Sequence, residues 1–282
     1  MKVMNLKNKV AVVTGAGSGI GRATALAFAR EGTRLHLSDI NRERVEAVAG
    51  EIRALGAEAT PYVVDSTDRQ AMQKFADDVY AAAGRVDILH NNAGIGAACP
   101  FEQIPLEHWE KVINLNLWGV IYGLHFFLPK MIAQGGGGHV INTASGAGLF
   151  GLPHQGAYAA TKFAVVGMSE VMNSDLAKYG IYTTAVCPGI ISTNIINDTL
   201  FEMPEEQENK VRNKINRYYQ TSGVGPEVVA RDILKAVRKK RPVVATPWSQ
   251  IWPLWMVKRL SVRLYQAGAR IIGNRLFARL GA

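Results

Sequence analysis

Cysteine is scarce in this chain of 282 residues: Cys99 and Cys187 are the only two. That excludes a disulfide framework and fits a reducing compartment. Six histidines and two cysteines show no metal-ligand spacing such as H-E-x-x-H or C-x-x-C, so no metal is expected. The opening residues, Met1-Lys2-Val3-Met4-Asn5-Leu6-Lys7, lack the apolar stretch of a secretory signal, and a cytoplasmic location is the expectation. Acidic residues are nearly missing from one end. Residues 231–282 hold twelve Lys/Arg and one acid, Asp232, for +11; removing these from the totals of 32 and 23 leaves 20 basic and 22 acidic residues in 1–230, or −2. The net charge of +9 therefore belongs to the C-terminal end. A nearly neutral body excludes a nucleic-acid-binding body, which would spread basic residues over a face.

What is present begins with apolar content. Hydrophobic residues make up 48% of the chain, enough for one α/β domain or two small ones. Val10-Ala11-Val12-Val13 predicts a buried strand. Thr14-Gly15-Ala16-Gly17-Ser18-Gly19-Ile20-Gly21 follows at once, then an alanine-rich helix over Arg22–Arg30. In that context glycines let backbone approach a pyrophosphate, and the helix N-terminus offers it N–H groups. The spacing is G-x-x-x-G-x-G through Gly15, Gly19 and Gly21, not the common G-x-G-x-x-G. A second strand, Arg34–Ser38, ends at Asp39. A carboxylate there bonds ribose hydroxyls and repels a 2′-phosphate, so NAD(H) is favoured over NADP(H). Arg42 and Arg44 just beyond read as exposed helix residues.

Further strands are expected over Ala59–Val64, Val86–His90, His139–Thr143, Ile181–Val186 and Val243–Thr246. Helices are expected over Asn41–Leu55, Thr67–Ala83, Leu106–Ala133, His154–Lys178 and Pro226–Lys240. The alternation predicts an α/β fold, a Rossmann-type doubly wound parallel sheet of about seven strands with helices on both faces. Ligands bind at the strands' C-terminal ends in such sheets. Asp65-Ser66 sits at one such end, where an adenine would rest, and Asn91-Asn92-Ala93-Gly94 at the next. Cys187-Pro188-Gly189 ends the sixth strand, with the Thr193 hydroxyl in reach of a nicotinamide amide. Asn116 is a mediocre interior helix residue, which suggests a polar purpose.

Tyr158 and Lys162 stand four apart and share one helix face. A phenol titrates near ~10, and an ammonium beside it favours the phenolate. Such a pair suits general acid/base work on an oxygen, and Ser145, at the end of the fifth strand, offers that oxygen a hydroxyl.

These motifs, in this order, resemble the single-domain branch of the short-chain dehydrogenase/reductase family over about residues 6–246. The resemblance rests on T-G-x-x-x-G-x-G, N-N-A-G, S-x12-Y-x-x-x-K and P-G-x3-T. It implies Tyr158 as catalytic acid/base and Lys162 as the lysine that lowers its pKa and binds the nicotinamide ribose. It implies Ser145 as the serine that polarises the carbonyl, and Asn116 as the asparagine that holds a water in a proton relay. Gly15, Ser18, Ile20, Asp39, Asp65, Asn92, Pro188 and Thr193 match cofactor-contact positions, with Gly19, Gly21, Ser66, Ala93, Gly94, Gly189 and Ile191 beside them. The implied reaction is hydride transfer between a secondary alcohol or ketone and NAD(H). A dehydratase or epimerase on the same fold, and a non-catalytic cofactor sensor docked through the tail, are the alternatives. The resemblance also implies a homodimer or homotetramer.

The segment from Asn194 to Gly223 has Pro204 as its one proline, and in the family this region is a mobile lid over the substrate. With Ile95, Ala97, Ala98, Leu149, Phe150, Ile190 and Ile191 near the mouth, it suggests an apolar pocket and a lipophilic substrate. His154 and Gln155 are possible polar contacts. The tail, residues 247–282, exceeds what the shared fold needs. Trp248, Trp252 and Trp255 precede Lys258, Arg259, Arg263, Arg270, Arg275 and Arg279 among aliphatic residues. Its longest uncharged stretch, Pro242–Val257, carries three prolines and falls short of the ~20 apolar residues a spanning helix needs. Two expectations stand for 248–279: an interfacial helix on anionic lipid, or packing on protein that closes the pocket.

Overall fold

Val10-Ala11-Val12-Val13 has no polar side chain to turn outward, so it needs cover on both faces. In the computed structural model, which describes residues 4–280 without the side chains of 272 and 274–280, it is a central strand, β1 (Val10–Thr14), buried along its length. Met1–Val3 and the side chains of Arg275 and Arg279 lie outside the described residues.

The chain alternates from there. After β1 come α1 (Gly19–Arg30), β2 (Arg34–Asp39), α2 (Arg42–Ala54), β3 (Ala59–Val63) and α3 (Arg69–Ala83). Then come β4 (Ile88–Asn91), a two-residue β5 (Ala97–Ala98), α4 (Leu106–Ile113), α5 (Gly119–Ala133) and β6 (Gly138–Thr143). Next are α6 (Gly156–Asp175), β7 (Ile181–Pro188), β8 (Leu200–Phe201) and α7 (Glu205–Ser222). The chain ends with α8 (Pro226–Lys239), β9 (Val243–Thr246), α9 (Trp248–Leu260) and α10 (Val262–Leu280). Seven strands pair in the order β3-β2-β1-β4-β6-β7-β9, every pair parallel. The order reverses between β1 and β4, so the crevice of a doubly wound sheet opens at their C-terminal ends. The expected Rossmann-type sheet, with helices on both faces, is the observed one.

One face is covered by α1, α2 and α8, through Phe28, Ile52, Ile233 and Val237. The other carries α3 and α5, with Phe75, Phe127 and Met131 under them. The α6 end of that face buries Leu149, Phe150, Val165 and Cys187 together with Ile251 and Tyr265 of the tail. Leu106–Ala133 is the one described helix long and apolar enough to cross a membrane; here Val112, Phe127 and Met131 are buried against the protein.

Three elements differ from expectation. Leu106–Ala133 is not α-helical throughout, because Asn114–Trp118 widens into a π turn. Such turns frequently mark functional positions, and this one carries Asn116. The segment 194–223 is built of regular elements: a 3-10 turn, Asn194–Asp198, then β8, which pairs with β5, then an 18-residue helix. Glu205, Glu206 and Glu208 lie in the first turn of α7, where the helix dipole favours acids. Glu206–Lys210 and Glu208–Arg212 support the same helix at i, i+4. The tail is a helical hairpin, interrupted at Ser261, whose backbone is extended (φ −155°, ψ 108°).

Candidate active site

The glycine loop is held in shape before any ligand binds. Gly15 has φ +60°, and a side chain there would meet Ala93 Cα at 2.8 Å. A side chain at Gly21 would meet Asn92 Nδ2 at 2.6 Å, so α1 packs too close for a Cβ. Asn92 is the clamp: its Nδ2 donates to the carbonyls of Thr14 (3.1 Å) and Gly15 (3.2 Å). Thr14 Oγ1 in turn accepts from the backbone N–H groups of Asn92 (2.9 Å) and Ala93 (3.2 Å). Asp39, at the end of β2, accepts from Gly17 N–H and Asn41 N–H, both at 2.9 Å. Its carboxylate thus sits against the loop. Ser18 caps α1 with no side-chain hydrogen bond, which leaves that helix end for another acceptor.

Asp65 Oδ1 is taken by Thr67 N–H and Oγ1, each at 2.8 Å, while Ser66 is buried beneath Gly119. Beyond β7, Ser192 N–H donates to Val224 O at 2.9 Å and Val224 N–H to Ile190 O at 3.2 Å. These bonds fix the Pro188–Thr193 turn, and Thr193 lies over Gly19. The Ile191 side chain is not lining of an open mouth: it belongs to the core against α1 and α8. Leu149 and Phe150 are likewise core residues under the tail, not lining of an open mouth.

Ser145 follows β6 and caps a 3-10 turn, its Oγ accepting from Ala147 N–H at 3.1 Å. Tyr158 and Lys162 project from α6 as the i, i+4 spacing predicts, with Lys162 Nζ 5.5 Å from the Tyr158 ring centroid. Lys162 is nearly inaccessible, and its Nζ donates to Thr143 O at 3.0 Å. Burial lowers it to about 8. The Tyr158 phenol moves the other way: burial raises it, and a hydrogen bond with the Ser145 side chain opposes that rise. Dehydration disfavours the charged phenolate and is the larger effect, while the Lys162 ammonium bonds Thr143 O. Beneath them burial pushes the Cys187 thiol up to about 12, so it is inert as a nucleophile.

Asn116 is fully buried, and both ends of its amide are used. Oδ1 accepts from Ile95 N–H at 2.8 Å and Nδ2 donates to Ile95 O at 2.9 Å. A side chain at Gly94 would meet Asn116 Oδ1 at 2.9 Å and Lys162 Nζ at 3.5 Å. Asn116 thus fastens the strand-end loop beside the lysine through its side chain.

Sequence reasoning passed over three contributors. Thr143 acts partly through a backbone carbonyl, which leaves no residue-type signal. Tyr219 of α7 brings another phenol to the site, pushed up to about 12 by burial first and by the neighbouring Tyr158 and Tyr218 next. Gln250 of α9 reaches back, its Oε1 accepting from Ile190 N–H at 2.7 Å. Gln155 Oε1 is buried with no partner among the described residues, and His154 O accepts from Cys99 N–H at 2.8 Å.

A family model described as short chain dehydrogenase matches residues 9–203. The chain belongs to the short-chain dehydrogenase/reductase family. It is 39% identical over 262 residues to the probable oxidoreductase EphD of Mycobacterium tuberculosis, an alignment covering 92% of this chain and 44% of EphD. The chain thus spans less than half the length of that relative. It is 39% identical over 198 residues to the cyclohexanol dehydrogenase of an Acinetobacter species, covering 69% of this chain and 78% of the relative. A short-chain dehydrogenase/reductase of Burkholderia phymatum, solved in complex with NAD, superposes with a TM-score of 0.86 at 30% identity, covering 93% and 96% of the two chains. Membership of that family supports a general oxidoreductase role with a nicotinamide cofactor. The residues present fit that group: an uncapped α1 N-terminus, a glycine cradle too tight for side chains, and an acid at the end of β2.

Proposed function

We propose that this short-chain dehydrogenase/reductase interconverts a lipophilic secondary alcohol and its ketone with NAD(H). The reading rests on one convergence: Ser145, Tyr158 and Lys162 meet at the C-terminal edge of the sheet, next to the glycine loop. The loop and the α1 N-terminus would hold the pyrophosphate, Asp39 the adenosine ribose, Asp65 and Ser66 the adenine side, and Thr193 the nicotinamide amide. Bound nicotinamide supplies the hydride donor or acceptor.

The protein handles the proton. Tyr158, with its phenol pushed up, is a protonated acid at neutral pH, fit to give its proton to a ketone oxygen. Ser145 donates a hydrogen bond to the same oxygen. Lys162, still cationic below about 8, stabilises negative charge on the phenol once the proton has left. In the oxidative direction Tyr158 accepts the alcohol proton, which requires its ionised form, so oxidation rises with pH.

The NAD(H) preference is argued from Asp39, whose charge would face a 2′-phosphate. The apolar substrate is supported by the lid, where Phe201, Val211 and Ile196 are buried and Arg212 covers the Phe201 ring at 4.9 Å. The cyclohexanol dehydrogenase relative acts, by its name, on an alicyclic secondary alcohol, which points the same way.

The test is turnover with NAD(H) against secondary alcohols and ketones graded by chain length and ring size. Tyr158→Phe is expected to abolish turnover while NAD(H) binding, followed by fluorescence, persists. Undiminished turnover in that variant rules the assignment out.

A further inference from the structure

Among the described residues, the hairpin of α9 and α10 is fixed to the body along one side. Ile251 and Tyr265 are buried in the core under α6. Lys258 Nζ donates to Leu149 O at 2.8 Å, and the Tyr265 hydroxyl donates to Gly151 O. Its other side is apolar and bare. Of the sixteen large hydrophobic side chains exposed among the described residues, six fall between 248 and 271. Three stand at the corner where Ser261 breaks the helix: Leu260 is 81% exposed, Val262 54% and Leu264 65%. Trp248 and Trp252 lie one turn apart on the exposed side of α9, their rings 5.4 Å between centroids.

Cations surround this apolar edge. Arg259, Arg263 and Arg270 are exposed, and no acidic residue follows Asp232 in the chain. A second copy would present the same positive surface and be repelled. The complementary partner is apolar in depth and anionic at its surface, which describes a bilayer with acidic headgroups. Tryptophan pairs at the rim suit the headgroup level. Neither α9 nor α10 is long and apolar enough to span.

We propose that the α9–α10 corner docks the protein on an anionic lipid bilayer. Leu260, Val262 and Leu264 enter the acyl boundary, and Arg259 and Arg263 contact headgroup phosphates. The docking stands independently of the proposed reaction.

The full chain is floated with vesicles of phosphatidylcholine alone and of phosphatidylcholine with phosphatidylglycerol. Binding to the mixed vesicles only, weakening as salt rises, is expected. Leu260→Ser with Leu264→Ser is expected to weaken binding about tenfold or more. Arg259→Gln with Arg263→Gln is expected to weaken it about tenfold and to flatten the salt dependence. All four residues are exposed and outside the active site, so unchanged circular dichroism and unchanged turnover of a water-soluble alcohol confirm an intact fold. Absent binding to mixed vesicles, equal binding to neutral ones, or equal binding by the variants overturns the proposal. Self-association lost in the leucine variants, without vesicle binding, assigns the corner to a second copy and overturns it too.

Discussion

Thr143 ties the candidate site to the core through two atoms. Its carbonyl takes the Lys162 ammonium, and its hydroxyl donates to Asn92 Oδ1 at 3.2 Å. With that hydroxyl proton committed, His90 Nε2, 2.9 Å away, must donate to Thr143 Oγ1. The His90 Nδ1 left without a partner is then a bare acceptor, not a stranded N–H. Thr143→Val keeps the carbonyl but strands His90 N–H and Asn92 Oδ1. A loss of about 1–3 kcal/mol in urea unfolding is expected, with weaker NAD(H) binding because Asn92 holds the glycine loop. Asp39 gives a second test at this scale. Asp39→Asn keeps an oxygen for Gly17 N–H while removing the charge. The NADP(H)-to-NAD(H) ratio of kcat/KM is expected to rise about tenfold, equivalent to about 1.4 kcal/mol. An unchanged ratio would remove the basis for the NAD(H) preference. The chemistry of single residues was the most legible layer, because Ser145, Tyr158, Lys162 and Asp39 carry reactive groups at recognisable spacing. Carbonyl and clamp roles, as for Thr143 and Asn116, depend on where a backbone runs and leave little mark on residue type.

Elements were legible where one periodicity ran unbroken. The sheet strands and α1, α2, α3 and α8 follow apolar patterns, and their ends lie within three residues of expectation. The π turn around Asn116 was not legible, because widening one turn changes no residue. The charged run after Pro204 is a helix, α7, supported by acids in its first turn and i, i+4 pairs. Tertiary contacts then fix it, since Arg212 donates to the carbonyls of Asn197 (2.9 Å) and Thr199 (3.0 Å) as well as Ile196. In the tail, Ile251 carries most of the inference about attachment. Its Cδ1 lies 2.5 Å from where a Cβ on Gly146 would be, one residue from Ser145. Ile251→Ala is therefore expected to cost about 2–4 kcal/mol in chemical unfolding and to lower kcat/KM by loosening the Ser145 turn. Lost stability with kcat/KM unchanged would separate the tail from the chemistry.

At the scale of the whole molecule, charge and its burial decide how the fold responds to acid. The +9 sits at one end, as composition already indicates, but the groups that govern acid unfolding lie in the sheet and are invisible in a charge count. His90 and His139 are buried in adjacent strands, and burial holds each at about 3, far below the ordinary 6.5. His139 repeats the pattern of His90: Thr184 Oγ1 gives its proton to Arg241 O at 2.6 Å, so His139 Nε2 donates to Thr184 at 2.7 Å. A histidine whose folded pKa is depressed takes up its proton only on unfolding. The stability it confers is complete above about 6.5 and is lost as pH falls towards about 3. Two such groups give a slope of about 2.7 kcal/mol per pH unit between the two values. His36, also lowered by burial, adds to it with the same sign. Asp87 adds below its ordinary 3.8: burial alone would raise it, but Arg85, the Val10 N–H and Lys9 together bring it down. His139→Gln keeps a donor for Thr184 and removes one titrating group. Urea unfolding from pH 7 to 4 is expected to show a slope smaller by about 1.4 kcal/mol per pH unit in that variant. Equal slopes would mean that His139 does not change protonation on unfolding, against the burial and the nearby Lys240 that disfavour its charged form in the sheet.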